Sequence, residues 1–412
     1  MKNVICAKCV RCGREYEATP NVTTCGCGGI LDILYDYDYI RPNLTKDVLA
    51  ARSERSMWRY RELLPVEDDT APPPLRVGWS PLYAADGLAK ALGLKKLWIK
   101  DDGLNPTSSL KDRASAMAVA KAKEAGAGTI ACSSTGNAAS SLAGNAAAAG
   151  LESYIFVPSR APKGKVAQLM IFGAHVISVQ GDYGATFELS KAAIDKWGWY
   201  NRNAAINPFL VEGKKTVSLE ICEQLNWQMP DYIALSVGDG CTIAGVWKGL
   251  KDLHALGLIN RLPHLISVQA EGCCPLNRSI MAHKPWVPEP ENTIADSIAV
   301  GSPRNPDKAL MAIRESGGLP VNVSDEEILA AQRLLGKTTG IFGEPAGVTG
   351  TAGVKKALEK GLISPESTVV SIVTGNGLKD VDNAVRSAGS PISIAPDMDA
   401  LIHVFAEYGL GK

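Results

Sequence analysis

From about Leu75 onward, short runs of β-branched and apolar residues alternate with longer alanine-rich stretches whose apolar positions recur at helical spacing. That alternation predicts a parallel sheet with crossover helices. Strands are expected at Leu97 to Lys100, Thr129 to Cys132, Ser153 to Val157, His175 to Val179, Tyr232 to Val237, Leu265 to Gln269 and Val369 to Val373. Helices such as Ala138 to Ala149, Lys163 to Phe172 and Ala185 to Trp197 lie between them. Several strands run into Gly, Asn, Ser or Thr, and ligands in open α/β sheets bind at those carboxyl ends. Before Leu75 the pattern differs. A cysteine-rich leader gives way to an arginine-rich segment around Met57-Trp58-Arg59-Tyr60, and Pro72-Pro73-Pro74 marks a stiff boundary. No internal repeat or low-complexity tract interrupts the pattern.

Composition narrows the class. In 412 residues, 43 Lys plus Arg balance 43 Asp plus Glu, which leaves no basic field for nucleic acid or an anionic membrane surface. No apolar run reaches transmembrane length, and residues 1–10 lack the apolar stretch of a signal peptide, so a cytoplasmic protein acting on a small molecule is expected. Of ten cysteines, five fall within the first 27 residues. Cys9-x-x-Cys12 followed by Cys25-x-Cys27 approximates a zinc ribbon, in which two thiolate pairs clamp one tetrahedral metal. The second pair is one residue short. Two readings therefore stay open, an occupied zinc site with Cys6 as a possible substitute ligand, or a ribbon that folds without metal. The five scattered cysteines read as small buried hydrophobes.

The familiar nucleotide motifs fail. Gly238-Asp239-Gly240 lacks the third glycine of a dinucleotide fingerprint, and Gly336-Lys337-Thr338 has Ala331 where a phosphate loop needs glycine. The five histidines form no metal-binding cluster. What remains is a set of polar loops at strand ends. Asn105 to Arg113 carries Lys111 into a helix. Ser133-Ser134-Thr135-Gly136-Asn137 and Ser236 to Thr242 each follow a strand and open a helix, so their N–H groups can hold a carboxylate or phosphate. Two anion sites thus flank one lysine.

These loops, together with Asn207-Pro208, Glu212-Gly213, Gly343-Glu344-Pro345-Ala346 and Thr374-Gly-Asn-Gly-Leu-Lys-Asp380, resemble the fold-type II pyridoxal-phosphate enzymes, and within them the threonine synthases. The resemblance spans nearly the whole chain. It implies two open parallel-sheet α/β domains, a small one over 111–205 and a large one built from 41–110 and 206–412, behind a ribbon-like segment over 1–40. It makes Lys111 the Schiff-base lysine, and Asn137 the partner of the phenolic oxygen of pyridoxal 5′-phosphate. Gly238, Asp239, Gly240, Cys241 and Thr242 become the cofactor-phosphate cradle, and Thr374 the partner of the pyridine nitrogen. Ser134, Thr135 and Gly136 become the site of the substrate's α-carboxylate. A homodimer is implied as well, and the reaction is conversion of O-phosphohomoserine and water to threonine and phosphate.

At three places the chain departs from that family. Ala138, Ala204-Ala205 and Leu210 stand where a hydroxyl, an Asn-Ser pair and an arginine are usual, and the family uses those positions for the leaving phosphate. An apolar pocket is therefore expected, poor at holding a phosphate dianion unless Arg160, Lys163 or Lys165 lends charge. Asp239 and Cys241-Thr242 are a further departure, in the cofactor-phosphate loop, with Asp239 expected to turn away from the cradle or to pair with a cation such as Lys214 or Lys215. On these grounds two rivals stand beside the first reading: β-elimination or β-replacement on another amino acid, and a catalytically inactive interaction protein.

Overall fold

The structure, a computed structural model, describes residues 1–410 apart from Arg160, Pro162, Asp182 and Ala205, and only the backbone of Lys163, Gly164 and Tyr183. Two mainly parallel sheets organise the body. The larger runs Leu319–Val323, His264–Ala270, Tyr232–Ser236, Thr368–Val373, Lys96–Asp101, Leu82–Ala84, and only the last pair is antiparallel. The smaller runs His175–Val179, Glu152–Pro158, Thr129–Ser133, Tyr200–Asn201, parallel throughout. Every strand expected from the hydrophobic pattern is present. Three more belong to these sheets and escape the pattern: Leu82–Ala84 and Tyr200–Asn201 are very short, and Leu319–Val323 contains Pro320, which is tolerated because the strand lies at the sheet edge.

The α/β class expected from the sequence is the one observed. Helices cover the sheets, and their composition follows from how closely they approach. The alanines of Asn137–Ala149 let it lie close to its neighbours, and a Cβ at Gly144 would stand 2.6 Å from the Thr107 methyl. More unusual is Phe209–Gln224, buried from Phe209 through Cys222 even though it carries Glu212, Lys214, Lys215 and Glu220. It is wedged between helices Lys111–Glu124 and Cys241–Ala255. Glycine makes the wedge possible, because a Cβ at Gly213 would fall 2.2 Å from the Arg113 carbonyl oxygen.

The N-terminal segment forms an antiparallel three-stranded sheet, ordered Glu15–Tyr16, Val4–Cys9, Leu31–Tyr35. It docks on the body through polar contacts. Tyr35 Oη donates to Glu212 at 2.7 Å, Tyr37 Oη to Asp252 at 2.7 Å, and Lys308 Nζ to Asp32 at 2.6 Å. No helix among the described residues is long and apolar enough to cross a membrane.

Candidate active site and metal centre

A cavity of about 520 Å³ opens where the carboxyl ends of the two sheets face each other, and Lys111 lies on it. Lys111 is the first residue of helix Lys111–Glu124, and its Nζ makes no hydrogen bond or ion pair among the described residues. Burial, with the charges of Lys214 and Arg202 adding to it, brings its pKa down to about 8. An amine held this way gives up its proton far more readily than an ordinary lysine, which a nucleophilic lysine needs.

The loops named from the sequence converge on this lysine. Ser134, Thr135, Gly136 and Asn137 line the cavity, at the start of a helix whose first N–H groups have no side-chain cap. Across from them Gly240, in left-handed backbone at φ +86°, opens helix Cys241–Ala255, which is likewise uncapped. Substitution at Gly240 would drive a Cβ to 2.6 Å from the Asn305 carbonyl oxygen, so only glycine fits this turn. Some helices are fully capped, as Asp325–Thr339 is by Ser324 and Glu327, and others such as Asp86–Leu92 and Pro275–Ala282 are not; what sets the two bare N-termini here apart is that both open on the cavity. Two bare helix N-termini beside one cavity are therefore places prepared for anions. Thr374 does not line the cavity. It follows strand Thr368–Val373, and its carbonyl accepts the Leu110 N–H at 2.9 Å, which ties that strand end to the residue before Lys111.

Of the cradle residues only Asp239 lines the cavity; Gly238, Gly240, Cys241 and Thr242 form the turn behind it. Asp239 stays on the cavity wall, where it accepts the Arg304 backbone N–H at 3.1 Å. Neither lysine pairs with it. Lys215 binds Glu212 at 2.7 Å and Asp252 at 2.6 Å, and Lys214 stays without an ion pair among the described residues. Asn137 Nδ2 donates to Glu344 Oε1 at 2.6 Å. Burial pushes the Glu344 carboxyl up to about 7, against the opposing pull of that hydrogen bond and of Lys165, Lys111 and Lys379.

The expectation of an apolar pocket is corrected. Ala138 and Ala204 do line the cavity, but Leu210 packs instead into the cluster holding Ala114, Ala118 and Leu142. Arg202 and Lys214 bring positive charge that the motif comparison overlooked. Of the three cations expected to compensate, Arg160 and the Lys163 side chain lie outside the described residues, and Lys165 pairs with Asp296 at the cavity edge. Ala205 too lies outside them. Sequence reasoning also missed Glu291, Asp296, Ser297, Ser302 and Arg304. Their signal was the long irregular stretch between His283 and Pro306, interrupted only by one short turn of helix, since such loops in compact chains tend to be functional.

The sequence profile of the pyridoxal-phosphate dependent enzymes matches residues 74–375. Threonine synthase of Methanocaldococcus jannaschii is 42% identical over 97% of this chain and 99% of its own length. The chain belongs to the threonine synthase family. A second member, from Methanosarcina acetivorans, is 40% identical over 96% of this chain and 97% of its own. Family membership makes this a pyridoxal-phosphate-dependent lyase acting on a small amino-acid substrate. Among solved structures, threonine deaminase isoform 2 of Solanum lycopersicum (TM-score 0.64, 21% identity, 75% of this chain and 87% of that one) shares the fold. So does diaminopropionate ammonia lyase of Escherichia coli (TM-score 0.65, 21% identity, 82% and 92%). The cavity suits the family's cofactor, with an unpartnered amine at Lys111 and an uncapped helix N-terminus at Cys241.

The four cysteines also meet. Sγ atoms of Cys9, Cys12, Cys25 and Cys27 lie within 4.8 Å of one another, and Cys6 is not among them. The missing residue in Cys25-x-Cys27 is absorbed by the glycines that follow: Gly28 takes φ +76°, and a Cβ at Gly29 would sit 2.6 Å from the Cys9 sulfur. The Cys27 N–H and the Tyr16 hydroxyl, which donates to Cys25 Sγ at 3.1 Å, bring the Cys25 thiol down to about 6.

Proposed function

We propose that this chain converts O-phosphohomoserine and water to threonine and phosphate, with pyridoxal 5′-phosphate bound at Lys111. The observation that carries the reading is Lys111 itself, an amine without a protein partner between two uncapped helix N-termini. The turn Gly238 to Thr242 holds the cofactor phosphate on backbone N–H groups, and Ser134, Thr135 and Gly136 hold the substrate's α-carboxylate. Asn137 faces the phenolic oxygen, with its amide oriented by Glu344. Thr374 offers the pyridine nitrogen a hydroxyl, a neutral partner that leaves the ring less electron-demanding than a carboxylate would. When bound, the cofactor supplies an electron sink for substrate carbanions. Lys111 Nζ, with a pKa near 8, can take a proton from substrate carbon and return it at another carbon without leaving the physiological range.

The test is threonine formation from O-phosphohomoserine by the purified holoenzyme, compared with Lys111→Ala, which should lose turnover by several orders of magnitude. Borohydride reduction and peptide mapping should place the cofactor on Lys111. A labelled peptide carrying a different lysine overturns the assignment. Ammonia release from serine or threonine, faster than threonine formation, would favour the elimination reading.

The ribbon holds a structural zinc in this proposal. Four zinc–sulfur bonds of ~2.3 Å in a tetrahedron place sulfurs ~3.8 Å apart; the Cys9–Cys27 and Cys12–Cys25 sulfurs stand 3.6 and 3.5 Å apart. One equivalent of zinc per chain is the expected metal analysis, lost in a Cys9→Ser, Cys12→Ser double variant.

A further inference from the structure

We infer that Lys214 and Arg202 form the seat of a phosphate dianion carried by the substrate, separate from the cradle that holds the cofactor phosphate. The inference rests on the reading above that the substrate is an O-phosphorylated amino acid, and it names the side chains that recognise it.

Lys214 is 3% exposed, lines the cavity, and makes no hydrogen bond or ion pair among the described residues. No acid on the same wall forms an ion pair with it: Asp239 acts on it only through space, and each acid has another protein donor. Asp239 accepts the Arg304 N–H at 3.1 Å, Glu291 accepts the Gly301 N–H at 2.9 Å, and Asp296 pairs with Lys165. A buried ammonium without a counter-ion is strongly disfavoured, so it is retained where a ligand completes it. The cofactor phosphate does not require it, since the N–H groups at the start of Cys241–Ala255 already face that position uncapped. Lys214 comes from the flanking helix and approaches the first turns of that one from the side, with its Cβ 3.2 Å from where a Cβ on Gly245 would lie. Arg202 arrives from the other sheet, just past strand Tyr200–Asn201, and its Nε donates to Ser115 at 3.1 Å, which fixes the guanidinium beside the cavity. Two cations from opposite walls match the charge of one dianion, and the small side chains of Ala138 and Ala204 leave it room. Lys111 feels both cations, so all three positive groups share one space.

The test uses holoenzyme with Lys214→Gln and Lys214→Arg, and inorganic phosphate as the probe. Three quantities are measured: KM and kcat for O-phosphohomoserine and O-phosphoserine, the inhibition constant of phosphate, and the affinity of the cofactor-free protein for pyridoxal phosphate. Visible absorbance of bound cofactor reports that each variant retains its site. With Lys214→Gln, the phosphate inhibition constant and the KM for the accepted phosphorylated substrate should rise about 10- to 100-fold, the range of one lost charge-assisted hydrogen bond. Lys214→Arg should recover most of that loss, and cofactor affinity should stay as in the parent. Unchanged phosphate inhibition overturns the inference, and so does a loss confined to cofactor affinity, which would place Lys214 on the cofactor phosphate. Phosphate binding that depends on Lys214, in a protein that makes no threonine, would uphold the seat and refute the proposed reaction instead.

Discussion

Lys214 and Lys215 are neighbours on one buried helix, and the protein treats them in opposite ways. Lys215 points toward the N-terminal segment, where Glu212 and Asp252 bind it and the ring of Tyr35 lies 3.9 Å from its Nζ. Tyr35 and Tyr37 complete those two carboxylates with hydroxyl hydrogen bonds. Lys214 points into the cavity and has no such company. A second paired network lies behind Lys111, where Arg113 binds Asp102 at 2.7 Å and Glu220 at 2.5 Å, and Lys100 binds the same Glu220 at 2.7 Å. Those two cations hold the Glu220 carboxyl down to about 2 despite its burial. The lesson is that burial alone does not mark function. Charges that build the fold are neutralised by the chain, and charges kept for chemistry are left for a ligand to complete.

If that contrast is right, replacing the paired lysine should do the greatest harm to the fold. Lys215→Met leaves Glu212 a buried anion without its ion-pair partner and Asp252 with only Lys248 at 3.8 Å, and we expect about 3–5 kcal/mol of lost stability, read as a lower denaturant midpoint. An unchanged midpoint would show that the network is not structural.

Glu344 provides a pH test of the same idea. Its folded pKa of about 7 exceeds the ordinary value of 4.5, so the native state holds a proton that the unfolded state has released. Stability of the cofactor-free protein should therefore fall as pH rises from about 4.5 through 7, by up to roughly 3 kcal/mol. Glu344→Gln keeps the shape without the titration and should flatten that slope. An identical pH profile in the variant would place the titration elsewhere.

The smallest effect has the opposite sign. Lys214→Met removes an uncompensated charge and should stabilise the cofactor-free protein by on the order of 1 kcal/mol, even as it harms phosphate recognition. Thermal denaturation of the two methionine variants side by side, one down and one up, would show the contrast directly.

Much of this was legible in the sequence and part was not. Hydrophobic alternation located the principal strands because their apolar runs are long, and it lost Leu82–Ala84 and Tyr200–Asn201, whose two or three residues carry no period. The loops around Lys111, Ser134 and Gly238 were readable because each is a polar turn after an apolar strand, a local property. The pocket cations were not readable, because nothing near Lys214 distinguishes it from Lys215. Which lysine faces solvent, partner or cavity is decided by the helices packed on either side. Leu210 failed as a pocket residue for the same reason, since its direction depends on the neighbouring cluster and not on its place in a motif.

The docking of the N-terminal segment has a consequence for how the chain is made. Its anchors lie far downstream: Tyr35 waits for Glu212 across 177 residues, Tyr37 for Asp252 across 215, and Leu31 for Lys308 across 277. At translation rates of ~5–20 residues per second, the first part synthesised stays unsecured for roughly 10 s to a minute. The ribbon's four thiols, of which Cys12 and Cys27 are exposed even in the folded chain, are made before any of those anchors exist, so the redox state and metal supply met by the nascent chain bear on how much usable protein each round of synthesis yields.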